Sequence, residues 1–155
     1  MSKLGSVRPS VEAILVVDDE PDILESLSDV FAMHLPGVKI LTASNGPKAL
    51  EILAKEEVGL IVSDYKMPGM DGLEFLTKAR QAAPNAPRIL ITAYPELNVA
   101  VRAINEAQIQ NFLTKPITPQ ALLEAVNAAL LKSRSAAQRT ANAPQRPPGP
   151  AVRRF

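Results

Sequence analysis

Acidic side chains gather directly behind an apolar run near the start of the chain. Asp18, Asp19 and Glu20 follow the stretch AILVV, and Asp64 follows a second apolar stretch, GLIVS. Carboxylates that meet in one site repel one another unless a cation lies between them. Because no histidine or cysteine lies near these acids, all-oxygen ligation is expected, which favours Mg²⁺.

Two further polar residues complement these acids. Thr92 ends the apolar run RILIT, and Lys115 follows the run QNFLT. A lysine ammonium suits a phosphate oxygen as a point charge, and a threonine hydroxyl can donate a hydrogen bond. A carboxylate can act as the nucleophile and form an aspartyl phosphate. The residue types therefore predict a phosphoryl-transfer site, with Asp64 as the natural acceptor because it stands alone at the end of its run.

Short apolar runs alternate with segments of helical spacing between residues 13 and 132. The predicted strands are 13–18, 38–43, 59–64, 88–92 and 110–114. The predicted helices follow Pro21 and Pro47 and run over 72–83, about 97–106 and 118–131, with caps expected at Asn45, Asp71 and Thr118. This alternation predicts an α/β, doubly wound fold with a parallel sheet and helices on both faces. The carboxyl ends of parallel strands meet in one crevice, so the polar residues that end these runs are expected to converge.

Composition fits one domain with a core of ordinary size. The chain has 155 residues, of which 46% are hydrophobic, and no cysteine, which excludes disulfides and thiolate chemistry. No apolar run is long enough to span a bilayer or to act as a signal peptide. These features predict a soluble, cytoplasmic protein with no membrane partner.

The net charge of +1 conceals a division along the chain. Residues 133–155 contain five of the 17 basic residues and no acid, which leaves 12 basic residues against 16 acids in residues 1–132. We therefore predict a flexible N-terminus over 1–11, a folded domain over 12–132, and a basic tail rich in proline and arginine over 133–155. A tail of that composition is expected to be disordered or to bind a partner.

Four fragments in chain order, ILVVDDEPDILESL, LIVSDYKMPGMDGLEFL, ILITAY and NFLTKPITPQAL, resemble the receiver domain of two-component response regulators. The resemblance extends over residues 12–132, and each fragment lies at the end of a predicted strand. It implies a (βα)5 flavodoxin-like receiver fold with a central five-stranded parallel sheet in the order 2-1-3-4-5. It also implies a phosphoacceptor switch that catalyses only its own phosphotransfer and dephosphorylation.

The resemblance assigns roles in metal binding and phosphotransfer. Asp64 would accept a phosphoryl group from a sensor histidine kinase or a phosphotransfer protein. Asp18 and Asp19 would bind Mg²⁺ together with Asp64, and the backbone carbonyl of Lys66 would complete the metal shell. Lys66 and Tyr94 would line the site entrance and tune how long the phosphoryl group survives.

The resemblance assigns a second group of residues to the switch. Thr92 and Lys115 would bind the phosphoryl oxygens, and the Lys115–Pro116 peptide bond would be cis. Phe112 would be a switch aromatic that turns inward when the threonine hydroxyl moves to the phosphate. The surface of the fourth helix, fifth strand and fifth helix would then change and control a partner protein.

Other interpretations of these residues explain less of the pattern or remain open. Glu20 and Asp22 are explained by the stabilising effect of negative charge at a helix start. A haloacid-dehalogenase-type phosphatase needs a second aspartate two residues after the nucleophile, where this chain has Lys66. The output stays open, because no output domain fits within 155 residues. The chain could be a stand-alone switch, a homodimer, the N-terminal receiver of a longer transcriptional regulator, or a phosphorylation-independent scaffold whose basic tail binds an acidic surface or nucleic acid.

Overall fold

A parallel sheet with helices on both faces forms the protein. The computed structural model describes residues 12–93 and 96–142, without the side chains of Leu97 and residues 132–142. The strands are β1 (Ala13–Val17), β2 (Lys39–Ala43), β3 (Leu60–Asp64), β4 (Arg88–Thr92) and β5 (Asn111–Thr114). The helices are α1 (Pro21–His34), α2 (Gly46–Lys55), α3 (Gly72–Ala82), α4 (Leu97–Arg102) and α5 (Pro119–Asn142), with a π-helical turn at Ala103–Ala107.

The strand order is β2-β1-β3-β4-β5, and every neighbouring pair is parallel. This confirms the predicted doubly wound sheet and its order. Because β1 lies between β2 and β3, the direction in which the chain adds strands reverses at β1. A crevice for ligands is expected outside the carboxyl ends of β1 and β3.

The core has two apolar layers, one on each face of the sheet. Successive strand residues point to opposite faces, so Leu15 packs with the α2 and α3 side whereas Ile14 packs with the α1 and α5 side. The three central strands are buried along their whole length. Strands covered on both faces are mostly apolar, which explains the apolar runs AILVV, LIV and ILI in these strands.

Side-chain caps begin three of the helices as predicted. Asn45 Oδ1 accepts a hydrogen bond from the Lys48 amide at 2.8 Å, and Asp71 Oδ1 accepts one from the Glu74 amide at 2.8 Å. Thr118 Oγ1 accepts one from the amide of the third residue after it, at 3.0 Å. Each cap satisfies a backbone donor that the first helical turn leaves without a partner.

Two helix ends differ from the sequence prediction. The predicted fourth helix is α-helical only to Arg102 and then continues as the π-helical turn. The fifth helix continues to Asn142, well beyond the predicted end at Leu131. Residues 132–142 contain no proline or glycine and include good helix formers, so no stop signal precedes Pro144. Residues 1–11 and 143–155 lie outside the described residues. The flexible N-terminus and the basic tail there stay predictions.

Within the part of the chain that the structure describes, no helix combines the length and the apolar character that crossing a bilayer requires.

Gly72, the first residue of α3, packs directly on the end of β3. Its amide donates a hydrogen bond to the Tyr65 carbonyl at 2.7 Å. A Cβ atom at this position would overlap the backbone carbonyl of Asp64, which has no freedom to move aside. Glycine here lets α3 begin close to the strand end and fixes the loop that follows Asp64.

Gly72→Ala is expected to lower the free energy of unfolding by roughly 1–3 kcal/mol, because overpacking against the backbone forces the loop to shift. Gly46→Ala is the matched control, since Gly46 also begins a helix and its added Cβ would meet only the Met70 side chain, at 2.5 Å from Sδ. Methionine is flexible and can rotate away. Urea denaturation of both variants measures the difference, and equal stability of the two would contradict the argument.

Candidate functional site

Three carboxylates meet at the carboxyl edge of the sheet. Asp18 and Asp19 follow β1, and Asp64 is the last residue of β3, the strand beside it. One carboxylate oxygen from each residue lies within 4.8 Å of the others. Asp18 and Asp64 are buried, whereas Asp19 is exposed at the mouth. The structure thus brings together the three acids that the sequence analysis selected.

Lys115 reaches the same point from the end of β5. Its Nζ atom lies 3.0 Å from Asp64 Oδ1 and 3.4 Å from Asp18 Oδ2. The Lys115 amide donates a hydrogen bond to the Thr92 carbonyl at 2.8 Å, which ties the ends of β5 and β4 together. The Lys115–Pro116 peptide bond is cis, as the resemblance implies. Sequence positions almost 100 residues apart therefore form one ion cluster.

Burial controls the protonation of the acids. It raises the pKa of Asp18 from 3.8 to about 6, although the Glu20 amide donates a hydrogen bond of 2.9 Å to Oδ1. Burial also raises the pKa of Asp64 above its usual value, even though the Lys115 hydrogen bond opposes the shift. A single lysine does not offset the desolvation of these carboxylates. A cation placed among them would remove the penalty.

For Lys115, neighbouring charges outweigh the effect of burial on the pKa. Burial would lower the pKa of its ammonium group, but the hydrogen bond and charge of Asp64 and the charge of Asp18 outweigh burial and raise it. Lys115 is therefore protonated at neutral pH. It is a fixed positive charge beside Asp64.

An open cleft of about 280 Å³ lies over this cluster. Its lining residues are Asp19, Glu20, Asp64, Lys66, Ala93 and Lys115. Negative carboxylates and two lysines therefore face one space large enough for a phosphoryl group and a metal ion. The donor set, oxygen ligands without sulfur or imidazole, is the one that Mg²⁺ prefers.

The two residues that the resemblance assigns to the switch lie on neighbouring strands. Thr92 is the last residue of β4 and is buried, on the strand next to Asp64. Phe112 lies on β5, half-buried, and packs against the apolar layer on the α3 and α4 side. Lys66 lines the cleft, while the metal-binding role of its carbonyl stays a prediction. Tyr94 lies outside the described residues, so its role at the entrance also stays a prediction.

Sequence reasoning did not select Ala93 or Gly72 for the site. Ala93 lines the cleft, and its position directly after Thr92 at a strand end was an available signal. Gly72 packs against the backbone carbonyl of Asp64, a contact that no local sequence pattern reveals. Met67, directly after Lys66, is buried in the core.

The site and fold have close counterparts among known proteins. Residues 14–127 match the response regulator receiver domain family. The chain is 38% identical over 123 residues to the response regulator protein PilR of Pseudomonas aeruginosa, which aligns with 78% of this chain and 26% of the relative. It is 34% identical over 120 residues to the transcriptional regulatory protein GlrR of Escherichia coli, covering 77% of this chain and 26% of the relative. The chain thus spans about a quarter of the length of these relatives.

Solved structures agree with this assignment. The signal receiver domain of an HD domain-containing protein from Pseudomonas fluorescens has 36% identity and a TM-score of 0.74, covering 79% of this chain and 97% of that domain. A CheY-like response regulator receiver domain protein from Methanospirillum hungatei has 30% identity and a TM-score of 0.76, covering 82% and 99%. With the sheet order and the acid cluster at its carboxyl edge, these matches place the chain in the family of response regulator receiver domains.

Proposed function

We propose that this protein accepts a phosphoryl group on Asp64 from a sensor histidine kinase or a phosphotransfer protein, with Mg²⁺ bound, and thereby changes a surface that controls a partner. The observation that carries the proposal is the contact of Lys115 with Asp64 and Asp18 in a buried acidic cluster below an open cleft. A protonated lysine, a buried carboxylate and free space above them are the parts that phosphoryl transfer to a carboxylate requires.

The chain's own groups support a direct displacement. An Asp64 carboxylate oxygen attacks the phosphorus atom, and the bond from phosphorus to the donor breaks, with its electron pair leaving on the donor. Lys115, 3.0 Å from Asp64 Oδ1, holds the carboxylate and offers its positive charge to a phosphoryl oxygen. The hydroxyl of Thr92, at the end of the neighbouring strand, is a donor for another phosphoryl oxygen.

The acid cluster fits a magnesium ion. Asp18, Asp19 and Asp64 would hold the ion, and the Lys66 carbonyl would add a further oxygen ligand. When bound, Mg²⁺ would neutralise charge between the carboxylates and the incoming phosphoryl group. Asp19 is the exposed member of the cluster and would therefore be the ligand nearest to solvent.

The protein would act as a switch and not as an enzyme with a separate substrate. It would catalyse only its own phosphorylation and dephosphorylation. The surface of α4, β5 and α5 is the proposed output face, since Val101 and Ile104 expose 45% and 59% of their area there and Phe112 lies on β5. A partner protein or a second copy of the chain would bind this face. As the matched relatives are longer regulators, a receiver that belongs to a longer transcriptional regulator is an alternative to a stand-alone switch.

Incubation with Mg²⁺ and acetyl phosphate is expected to add the mass of one phosphoryl group to the protein, because the cleft presents Asp64 to a small donor. Intact-mass measurement checks this. Asp64→Asn and added chelator should each abolish the gain. Asp71→Asn is the matched control, since asparagine also caps a helix well and Asp71 lies in the loop that follows Asp64. A wild-type protein that binds Mg²⁺ but gains no mass would favour a switch that only its kinase phosphorylates, or the phosphorylation-independent scaffold.

The raised pKa of Asp18 makes the stability of the metal-free protein depend on pH. Its pKa of about 6 in the folded state exceeds the 3.8 of an ordinary aspartate, so the folded state binds this proton more tightly. That stabilisation is present below pH 4 and is lost as pH rises through about 6. At pH 7.5 in chelator, Asp18→Asn is therefore expected to be more stable than wild type, by at most about 3 kcal/mol.

Urea denaturation at pH 4 and pH 7.5 measures this effect. The advantage of Asp18→Asn should shrink toward pH 4, and saturating Mg²⁺ should reverse it because the wild type gains binding energy. Asp29→Asn, which removes an exposed acid of α1, is the control for a change of net charge. An advantage of the same size at both pH values would show that the burial of the Asp18 charge is not its cause.

A further inference from the structure

The carboxyl end of α4 has an unusual backbone. The α-helix changes into the π-helical turn Ala103–Ala107, and Gln108 follows in the left-handed conformation with φ of 50°. The amides of Gln108 and Ile109 both donate to the Ala103 carbonyl. π-helical turns are rare and occur often at functional positions. The last carbonyls of this segment must find partners outside the helix.

Two arginines supply those partners. Arg88 Nε donates to the Ala107 carbonyl at 2.9 Å, and Arg88 Nη2 donates to the Gln108 carbonyl at 3.2 Å. Arg80 Nη1, from α3, donates to the Glu106 carbonyl at 3.3 Å. Three consecutive carbonyls at the end of the π-helical turn are therefore held by guanidinium groups. A positive charge at a helix carboxyl end is also favoured by the helix dipole.

Arg88 is buried, with 3% of its area exposed, and is the first residue of β4. Its third side-chain bond, from Nη1, goes to the Ala86 carbonyl at 2.8 Å. Its backbone also pairs with Gln110: the Arg88 amide donates to Gln110 Oε1 at 2.6 Å, and the Gln110 amide donates to the Arg88 carbonyl at 2.8 Å. Side chain and backbone thus join the start of β4 to residues 107–110.

Only arginine can make this set of contacts. Its planar guanidinium carries five N–H donors in a fixed arrangement, whereas a lysine ammonium is a single point charge. The side-chain hydrogen bonds of Arg88 go to the backbone carbonyls of Ala86, Ala107 and Gln108. Loss of the guanidinium would leave buried carbonyls without donors, which is costly.

We propose that Arg88 is a positioning residue that anchors the end of the π-helical turn after α4 to the start of β4. Thr92, the proposed switch threonine, is at the opposite end of the same five-residue strand. Phosphorylation would change the position of α4 at the end near Thr92. The end that Arg88 holds would stay fixed and act as the pivot. Movement would then be confined to residues 97–102, which include the exposed Val101. The pivot rests on the proposed function, whereas the anchor does not.

Hydrogen–deuterium exchange on the full chain tests the anchor without phosphorylation. Arg88→Met is expected to raise amide exchange in residues 103–110 by about tenfold or more, because local opening becomes easier. Arg88→Lys should give an intermediate increase, and Arg80→Met a smaller one, since Arg80 holds one carbonyl. Exchange in Arg88→Met within about twofold of wild type would overturn the anchor. Should Arg88→Met fail to fold, the same ranking of Arg88→Lys above Arg80→Met decides the question.

A second arm tests the pivot with acetyl phosphate and Mg²⁺, with uptake followed by intact mass. In wild type, phosphorylation should change exchange in residues 97–102 and leave residues 106–110 unchanged. In the folded Arg88 variants, uptake should stay within about threefold of wild type, while the exchange change spreads into residues 106–110. A role in stability alone would not move this pattern. Equal changes in both segments of wild type would overturn the pivot. Absent uptake would count against the proposed function and the pivot, while the first arm still decides the anchor.

Discussion

The contact between Lys115 and the two buried aspartates is the interaction on which the site depends. It joins the carboxyl ends of β1, β3 and β5 through one ammonium group, with distances of 3.0 and 3.4 Å. Burial disfavours the charged forms of these carboxylates, which is why the pKa values of both acids are raised. The lysine opposes this rise in pKa but does not cancel it. That imbalance is the physical basis for metal binding in the proposed function.

The fold holds this contact in place because the strands are rigid and the loops at their carboxyl ends pack closely on them. The central strands are buried between two apolar layers, so their carboxyl ends have little freedom to move. The approach of Gly72 to the Asp64 carbonyl fixes the loop that follows Asp64. Polar groups thus lie on a rigid edge, which is the arrangement that holds reactive groups in position.

The opposite end of β4 carries a different type of polar structure. There the buried guanidinium of Arg88 donates hydrogen bonds to the backbone carbonyls of Ala107 and Gln108. One short strand therefore connects the proposed phosphoryl-binding edge to a helix end that Arg88 holds. This geometry suits the proposed response of α4 to a local change of charge.

Most of the fold followed from local patterns. Apolar runs of strand length, helical spacing and capping residues such as Asn45 and Asp71 predicted the elements within a few residues, because short-range sterics and hydrogen bonds control them. The sheet order came from the resemblance of four fragments to one family, and the structure confirms it. The length of α5 and the π-helical turn were missed. No stop signal precedes residue 142, and the turn depends on donors from Arg80 and Arg88, which are distant in sequence.

The sequence by itself determined which residues could do chemistry: the acids after β1, the acid that ends β3, the threonine that ends β4 and the lysine after β5. It did so because strand ends in a parallel sheet share one edge. Only the tertiary structure decided that Lys115 touches Asp18 as well as Asp64, that Asp19 is exposed while its neighbour is buried, and that Gly72 lies against the acceptor. These facts depend on packing between segments far apart in the chain, which local residue preferences do not specify.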